Sequence, residues 1–409
     1  MKAISCRTCR GSKLTKFLDL GFTPPADQFL SKEQLEEPET YYPLEVLMCT
    51  ECGLAQLSYV VPPEILYRCD YPYEASMTRT GRLHWEEFAR SVILRLALSA
   101  EDLVVDIGSN VGVLLQAFQE RGTRTLGVEP ASNIAEIARQ HGIETVNEFF
   151  NIDVARQIVD SKGQASVITA TNVFAHIDDL DSFVKAVDLL LRPNGVLIIE
   201  APYFVNLVDR LEYDTIYHEH LSYLSVRPLV RFFGGVGLEV FDVEQRDIHG
   251  GSFRVYVARS GRIQVAPIID ELLTLENERG VHTAERLKKF AQDVEQNRKE
   301  LAWLLGNLKH QGKRIAAASA PAKGMTLLNY CQLGANTLDF VTEKSTLKVG
   351  RFTPGTHIEV TGDDELLKQM PDYALLLAWN FADEIMNNLA DYRKRGGKFI
   401  IPIPTPRIV

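Results

Sequence analysis

The sequence predicts an α/β protein in which a small cysteine-bearing module precedes two domains of alternating strands and helices. Three observations lead to this fold class. Two Cys-x-x-Cys pairs lie near the N-terminus, strand-like and helix-like runs alternate over 103–202, and a second strand–loop–helix pattern begins near residue 311. Such alternation implies parallel sheets with right-handed crossovers. The predicted boundaries are 1–66, 67–262, 263–310 (connecting helices) and 311–409.

The bulk composition is that of a folded globular protein. The 409 residues are 45% hydrophobic and 24% charged, enough for two to four domains of roughly 100–200 residues. The net charge of -10 weighs against general nucleic-acid binding, which relies on a basic surface. No apolar run approaches the roughly 20 residues that span a bilayer, and segment 1–13 lacks a secretory apolar core. We therefore expect a cytoplasmic protein that binds neither nucleic acid nor membrane and is compatible with a monomer.

The four paired cysteines are predicted to bind a structural zinc ion. Cys6 and Cys9 form one pair, and Cys49 and Cys52 form the other. In a reducing compartment such pairs are typical of metal ligands rather than disulfides. Four thiolates complete a tetrahedral site and leave no open position for a reacting water. Free thiols or a redox pair are the alternatives, although neither pair lies in a thioredoxin-like strand-to-helix context.

A glycine-containing turn joins the first predicted strand of the central domain to its helix. It runs from Asp106 through Gly108 and Asn110 to Gly112, at the strand end where α/β sheets bind ligands. Glu129 ends the second strand, where an acid accepts hydrogen bonds from ribose hydroxyls. Because the Gly-x-Gly-x-x-Gly pyrophosphate fingerprint is absent, phosphate-free S-adenosylmethionine fits this turn better than NAD does. The alternative is an ordinary strand–turn–helix junction.

The densest cluster of titratable residues is Tyr217-His218-Glu219-His220, which follows the fifth predicted strand. We predict that a pocket is lined by Tyr217, Glu219 and His220, and that the side chain of His218 points away from it. A histidine suits removal of a moderately acidic C–H proton, and the spacing differs from the His-Glu-x-x-His of metalloproteases. Further pocket candidates, each with a structural role as its alternative, are His176 after the fourth strand, Tyr71 and Tyr73 before the first helix, and His249 in a Gly-rich turn.

Together these segments resemble the sugar C-methyltransferases of deoxysugar pathways. The shared motifs are the paired Cys-x-x-Cys, YPYEAS, DIGSNVG, NVFAHI, IYHEH, IHGGS, APAKGMTLLNYC, GRFTPGTHI and LLLAWNFADEI. The resemblance implies an N-terminal zinc-ribbon-like module, a central class I S-adenosylmethionine methyltransferase domain and a C-terminal Rossmann-like domain. It also implies methyl transfer to C-3 of a 4-keto-deoxysugar linked to thymidine diphosphate.

The resemblance further implies residue roles. His220 is the base that removes the proton next to the ketone, Tyr217 and Glu219 position substrate or base, His176 lies near the enolate oxygen, and Tyr73 lines the pocket. For the cofactor, Asp106 and Gly108 flank the methionine portion in the turn that contains Asn110, Glu129 holds the ribose, Phe150 lies near adenine, and Asn172 faces the methionine side.

The C-terminal domain is expected to bind the nucleotide portion of the substrate. Lys323, Lys348 and Arg351 are candidates for the diphosphate, and Asn329 and Asn380 for base or ribose; solvated surface groups are the alternative. Two positions depart from the family pattern: Val111, where aspartate is common, and Ser319, where glycine is common. Competing functions are methyl transfer to oxygen or nitrogen, and a non-catalytic zinc-bearing binding protein.

Overall fold

The computed structural model describes residues 5–67, 71–75, 79–248 and 250–409. Its N-terminal part is a small antiparallel sheet followed by one short helix. The elements are β1 (Leu14–Thr23), β2 (Tyr42–Cys49), β3 (Ala55–Leu57) and α1 (Pro63–Tyr67). Strand β2 pairs with both β1 and β3. The strand-like runs at 41–49 and 54–62 predict β2 and β3, and the structure adds β1 to them.

The central part is a seven-stranded sheet flanked by helices. Its elements are α2 (Arg79–Leu96), β4 (Leu103–Ile107), α3 (Val113–Gln119), β5 (Arg124–Val128), α4 (Ser132–Gln140), β6 (Thr145–Val146), α5 (Ile152–Lys162), β7 (Ala165–Thr171), α6 (Leu180–Leu190), β8 (Leu191–Pro202), α7 (Phe204–Asp209), β9 (Ser222–Tyr223), α8 (Val226–Gly235), β10 (Leu238–Arg246) and β11 (Ser252–Arg259). The strand order is β10-β11-β8-β7-β4-β5-β6, and β8 through β6 run parallel. Strand β4 lies between β5 and β7, so the sheet reverses its winding there and forms a ligand-binding crevice.

One helix ends earlier than its sequence pattern predicts. The run over 179–195 predicts a helix closed by the Asn-Gly pair at 194–195, but α6 ends at Leu190 and β8 begins at Leu191. Pro193 explains the difference, because proline lacks a backbone N–H and disfavours helical dihedrals at the preceding residue, Arg192.

The C-terminal part contains two long helices and a second parallel sheet. Its elements are α9 (Ile268–Arg279), α10 (Ala284–His310), β12 (Ile315–Ala318), α11 (Ala322–Cys331), β13 (Val341–Glu343), β14 (Val360–Gly362), α12 (Asp364–Gln369), β15 (Tyr373–Leu376), α13 (Ala382–Asn388), α14 (Ala390–Lys394), β16 (Lys398–Ile401) and β17 (Arg407–Ile408). The strand order is β14-β13-β12-β15-β16-β17. Strands β14 through β16 run parallel, and β17 is antiparallel to β16. Helices α9 and α10 occupy the stretch predicted to connect two domains.

The three parts are joined by strand pairing and a shared core. Strand β9, which directly follows the Tyr217–His220 cluster, pairs with β3 and becomes the fourth strand of the N-terminal sheet. Leu30 and Phe352 form an isolated bridge between the N- and C-terminal parts. A single apolar cluster contains buried residues of all three parts. Within the described ranges, no helix combines the length and the apolar character needed to cross a bilayer.

Candidate active site

A cavity of about 890 Å³ lies where the three parts meet. This volume is near the upper end of the range of small-molecule pockets, roughly 300–1,000 Å³. Its walls include the carboxyl ends of β4, β5 and β7, the segment 71–75, the loop 215–220 and residues 318–323. Polar groups that are distant in sequence therefore face one space.

Most of the sequence-predicted site residues line this cavity. They are Tyr71, Tyr73, Asp106, Gly108, Asn110, Glu129, Phe150, Asn172, His176, Tyr217, Glu219, His220, Lys323 and Asn380. His218 is not among the lining residues; its ring lies 5.9 Å from that of Tyr42 in the N-terminal sheet. The expectation that His218 points away from its neighbours is confirmed.

Lys348 and Arg351 are not brought to the cavity, so the prediction that they bind diphosphate needs correction. Lys348 is buried, and its Nζ donates to Oδ1 of Asp27 at 3.1 Å and to the Ala320 carbonyl at 2.9 Å. Arg351 directs Nη1 toward the Phe29 carbonyl at 3.5 Å. Both cations join the C-terminal part to the N-terminal part, and the ammonium of Lys348 needs its partners because it is buried.

Asn329 is also absent from the cavity wall. Its Nδ2 donates to the carbonyls of Met325 and Pro354 at 2.9 and 3.0 Å. The amide therefore holds the loop between β13 and β14 against α11 and is not placed to contact a nucleotide. His249, the remaining candidate, lies outside the described residues.

The turn after β4 is shaped by residues with left-handed backbone dihedrals. Gly108 has φ +66°, and a Cβ there would overlap Cγ2 of Val173. Asn110 has φ +49°, and its side chain accepts from the Ala75 N–H at 2.7 Å and donates to the Tyr73 carbonyl at 3.0 Å. The cofactor turn thus holds the segment 71–75 across the cavity.

Glu129 is anchored to this turn from the end of β5. Its Oε2 accepts the Asn110 N–H and its Oε1 accepts the Ala131 N–H, both at 2.9 Å. Each carboxylate oxygen has a second acceptor position. Burial raises the pKa of Glu129, and the two N–H donors oppose that shift. These residues fit the ribose of S-adenosylmethionine.

Three further predicted residues, Asp106, Asn172 and Phe150, line the part of the cavity near the turn after β4. Burial raises the pKa of Asp106 to about 7, and its Oδ1 accepts from the Thr169 hydroxyl at 2.6 Å. Asn172 has φ +54° at the end of β7, and Phe150 packs edge-on against Phe183 at 5.8 Å. An acid, an amide and an aromatic ring therefore surround the switch point.

Val111, where the family pattern has aspartate, is part of the core. Its side chain is buried with Ala131 and Ile134, and Tyr71 packs at the edge of this cluster. It is not among the residues that line the cavity. The departure at Val111 therefore leaves Glu129 and its two N–H donors in place.

His220 is held in one tautomer by the backbone. Its Nδ1 lies 2.7 Å from the Thr215 carbonyl oxygen, which can only accept, so Nδ1 carries the hydrogen and Nε2 is the basic nitrogen. The ring centroid is 4.1 Å from that of Tyr217 and 5.1 Å from that of His176. Two imidazoles and a phenol therefore meet at one wall of the cavity.

His176 is partly buried, its Nε2 is shielded from solvent, and its ring is uncharged at neutral pH. Burial, and then neighbouring His220, lower its pKa well below the usual value. Its ring stacks on Tyr67 with centroids 5.9 Å apart, and its Nδ1 is 3.3 Å from the Tyr67 hydroxyl. Its Nε2 has no hydrogen-bond partner among the described residues. Sequence reasoning did not identify Tyr67, which ends α1 and carries no motif.

Glu219 is a buried carboxyl group next to the histidines. The Tyr71 hydroxyl donates to its Oε2 at 2.9 Å. Burial, and then the carboxylate of Asp27, raise the pKa of Glu219 well above its usual value. Burial therefore favours the protonated form of this carboxyl group, which has an O–H to donate.

Lys323 brings a positive charge to the opposite wall. Its Nζ lies 3.7 Å from Oδ2 of Asp214 and 4.3 Å from the centroid of the Trp379 ring, and it has no hydrogen-bond partner among the described residues. Asn380 follows Trp379 in a short 3-10 turn. Ser319, at a position where the family pattern has glycine, adopts φ +70° in the loop before α11.

The four paired cysteines converge as predicted. Their sulfur atoms all lie within 4.8 Å of one another, with 3.5 Å between Cys6 and Cys52 and between Cys9 and Cys49. Zn–S bonds of about 2.3 Å in a tetrahedron place sulfurs about 3.8 Å apart. The donor set therefore fits a closed, structural zinc site.

Arg7, between the first two cysteines, connects this cluster to the cavity wall. Its Nε donates to Oδ1 of Asp178 at 2.9 Å, and its Nη1 donates to the carbonyls of Leu57 and Leu221 at 3.2 and 3.0 Å. Leu221 follows His220, and Asp178 lies in the loop of His176. No sequence motif indicated this contact, because its partners lie far along the chain.

The parallel sheet with its switch point, the acid at the end of β5 and the four-cysteine cluster define the class: an S-adenosylmethionine-dependent methyltransferase with a zinc-binding module. Three family models match the chain, "Putative zinc binding domain" over 6–67, "Methyltransferase domain" over 82–243 and "C-methyltransferase C-terminal domain" over 247–404. C-methyltransferase NovU of Streptomyces niveus is 36% identical over 405 residues, which cover 99% of this chain and 96% of that protein. The chain belongs to this C-methyltransferase family.

Two further matches cover a smaller share of the chain. A ubiquinone biosynthesis O-methyltransferase of Bordetella avium (strain 197N) is 30% identical over 94 residues, covering 22% of this chain and 39% of that protein. A solved S-adenosylmethionine-dependent methyltransferase from Clostridium acetobutylicum ATCC 824 is 16% identical, with a TM-score of 0.35 over 43% of this chain and 91% of that chain. At that score the likeness adds nothing to the fold described above.

Proposed function

We propose that this C-methyltransferase methylates C-3 of a 4-keto-deoxysugar linked to thymidine diphosphate, with His220 as the base. The observation that carries the proposal is the 2.7 Å hydrogen bond from Nδ1 of His220 to the Thr215 carbonyl. It leaves Nε2 as the basic nitrogen of a residue that lines the cavity. A neutral imidazole suits removal of a proton from a carbon next to a ketone.

Proton removal places negative charge on the ketone oxygen, and His176 is suited to stabilise it. When the Tyr67 hydroxyl donates to Nδ1 of His176, Nε2 carries the ring hydrogen and can donate it to the enolate oxygen. Because burial lowers the pKa of His176, the ring donates without competing for the substrate proton.

The remaining polar groups position the substrate. Oε2 of Glu219 accepts from the Tyr71 hydroxyl, and we assign Glu219, Tyr217 and Tyr73 to orienting the sugar. S-adenosylmethionine, when bound, would supply the electrophilic methyl group: the enolate carbon would bond to that methyl as the C–S bond breaks and its electron pair stays on sulfur. His220 afterwards releases the abstracted proton to solvent.

The nucleotide portion is assigned to the C-terminal wall. Lys323 provides a buried ammonium for the diphosphate, and Asn380 provides an amide for base or sugar. The proposal leaves out Lys348, Arg351 and Asn329, because their polar atoms already make hydrogen bonds within the protein. A monomeric state and a cytoplasmic location remain predictions from the sequence.

Isotope exchange tests the reaction. We expect the wild-type protein, incubated in deuterated water with the thymidine-diphosphate-linked 4-keto-deoxysugar and no methyl donor, to incorporate deuterium at C-3. Adding S-adenosylmethionine should then yield a product methylated at that carbon, as read by mass spectrometry. Methyl transfer without exchange would identify an oxygen or nitrogen acceptor and overturn the proposal. Absence of transfer to any 4-keto nucleotide sugar would overturn the substrate class.

A further inference from the structure

The C-terminal sheet repeats the topology of the cofactor-binding sheet. In the central part β4 lies between β5 and β7, and β6 lies outside β5. In the C-terminal part β12 lies between β13 and β15, and β14 lies outside β13. The end of β13 is therefore the counterpart of the end of β5. In sheets of this kind an acid at this position contacts the ribose of the ligand.

Glu343 occupies that position in the C-terminal sheet. It is the last residue of β13 and lines the cavity. Its Oε2 accepts the Ala320 N–H at 2.8 Å, from the loop after β12. Its Oε1 accepts the N–H groups of Lys344 and Ser345 at 2.6 and 3.2 Å. The carboxylate is thus held against the loop that follows the first strand of its sheet.

The hydrogen bonds of Glu343 parallel those of Glu129. In each acid, Oε2 accepts a hydrogen bond from an N–H of the loop after the first strand of its sheet. Oε1 accepts from the N–H of the residue two positions further along the chain. Each loop also contains a non-glycine residue with left-handed dihedrals, Asn110 in one and Ser319 in the other. Oε2 of Glu343 has a second acceptor position that these contacts do not use.

We infer that Glu343 binds the sugar hydroxyl of the substrate's nucleoside, as Glu129 binds the ribose of the cofactor. The ligand class is a nucleoside diphosphate, and in thymidine diphosphate the hydroxyl is the 3′-OH. The inference rests on the proposed function, since it needs a nucleotide-linked substrate. Two equivalent acids in one cavity would then hold the two nucleosides apart.

Calorimetry on the full chain tests this assignment. Wild-type protein is titrated with thymidine diphosphate and with its 3′-deoxy analogue, and both titrations are repeated with Glu343→Gln. A hydroxyl-to-carboxylate bond predicts about tenfold weaker wild-type binding of the analogue. Glu343→Gln should bind thymidine diphosphate about tenfold more weakly than wild type does, and should no longer distinguish the two ligands. The Kd of S-adenosylhomocysteine should stay within twofold, which also shows that the variant is folded.

The matched variant is Glu129→Gln, which should weaken S-adenosylhomocysteine and leave thymidine diphosphate unchanged. If the wild-type protein binds thymidine diphosphate and its 3′-deoxy analogue with equal affinity, the role of Glu343 is overturned by that measurement alone. The proposed function would still stand. Absence of thymidine diphosphate binding to the wild-type protein would overturn both.

Discussion

Nε of Arg7 lies 2.9 Å from Oδ1 of Asp178, so the zinc-binding turn directly supports the loop that carries His176. We expect Arg7→Lys to lower kcat about tenfold, because one ammonium cannot serve the carboxylate and both carbonyls together, and small misplacements of reacting groups are costly. The Kd of S-adenosylhomocysteine and the zinc content should not change. Arg10→Lys is the control, since the ion pairs of Arg10 with Asp179 and Asp181 are exposed. Equal kcat values for the two variants would contradict a positioning role for Arg7.

Removal of His220 should stop the chemistry and spare cofactor binding. We expect His220→Asn to lower turnover at least 100-fold, within the range for a lost general base, and to abolish deuterium exchange into the substrate. Binding of S-adenosylhomocysteine should remain within twofold by calorimetry. His141→Asn, at an exposed position, serves as the control. Near-wild-type exchange in His220→Asn would remove this residue from the base role.

Gly108→Ala should weaken binding of S-adenosylhomocysteine by at least tenfold. An alanine there meets both an unfavourable φ and the side chain of Val173, and relief of that overlap distorts the cofactor turn. Gly122→Ala is a matched control, because Gly122 also has positive φ (+88°) but a Cβ at this position would have no neighbouring atom within 4 Å among the described residues. It should cost about 1–2 kcal/mol of stability and leave the Kd unchanged. Equal Kd values for the two variants would show that the contact with Val173 is unimportant.

Metal analysis should find about one zinc per chain. Cys49→Ser should reduce the zinc content and lower the Tm, because the sheet around β2 loses the tetrahedral site that its end helps to form. Cys331→Ser is the control: Cys331 is equally buried but lies outside the four-cysteine cluster. A stable wild-type protein without metal would contradict the structural role.

The stability of the protein should depend on pH through Glu212. Burial raises the pKa of this carboxyl from 4.5 to about 8, so between these values the folded state binds a proton that the unfolded state lacks. Stability from this group is full below pH 4.5 and is lost as pH rises toward 8, at up to about 1.4 kcal/mol per pH unit. Relative to Glu212→Gln, the wild-type protein should therefore lose stability between pH 5.5 and 7.5 in denaturant titrations. Asp160→Asn, at an exposed position of α5, should behave as wild type, and parallel curves for wild type and Glu212→Gln would contradict the prediction.

Sequence patterns predicted those features whose geometry depends on residues close together in the chain. The Cys-x-x-Cys turns, the Gly108 turn and the acid at the end of β5 depend on chain direction and short spacing, which the sequence displays. The opposite orientations of His218 and its neighbours follow from their adjacency. Helix α6 was extended too far because its apolar pattern continues past Leu190 into a strand.

The sequence by itself determined the class of fold, the cysteine ligands and a set of site residues, most of which line the cavity. Only the tertiary structure decided which charged groups face the ligands. Lys348 and Arg351 look like diphosphate ligands in the sequence, yet they contact Asp27 and the Phe29 carbonyl. Glu343 carries no motif and still lines the cavity. The physical reason is that the position of a charged side chain depends on the groups it contacts, and these groups lie far along the chain. The periodicity of the sequence carries no information about such pairs.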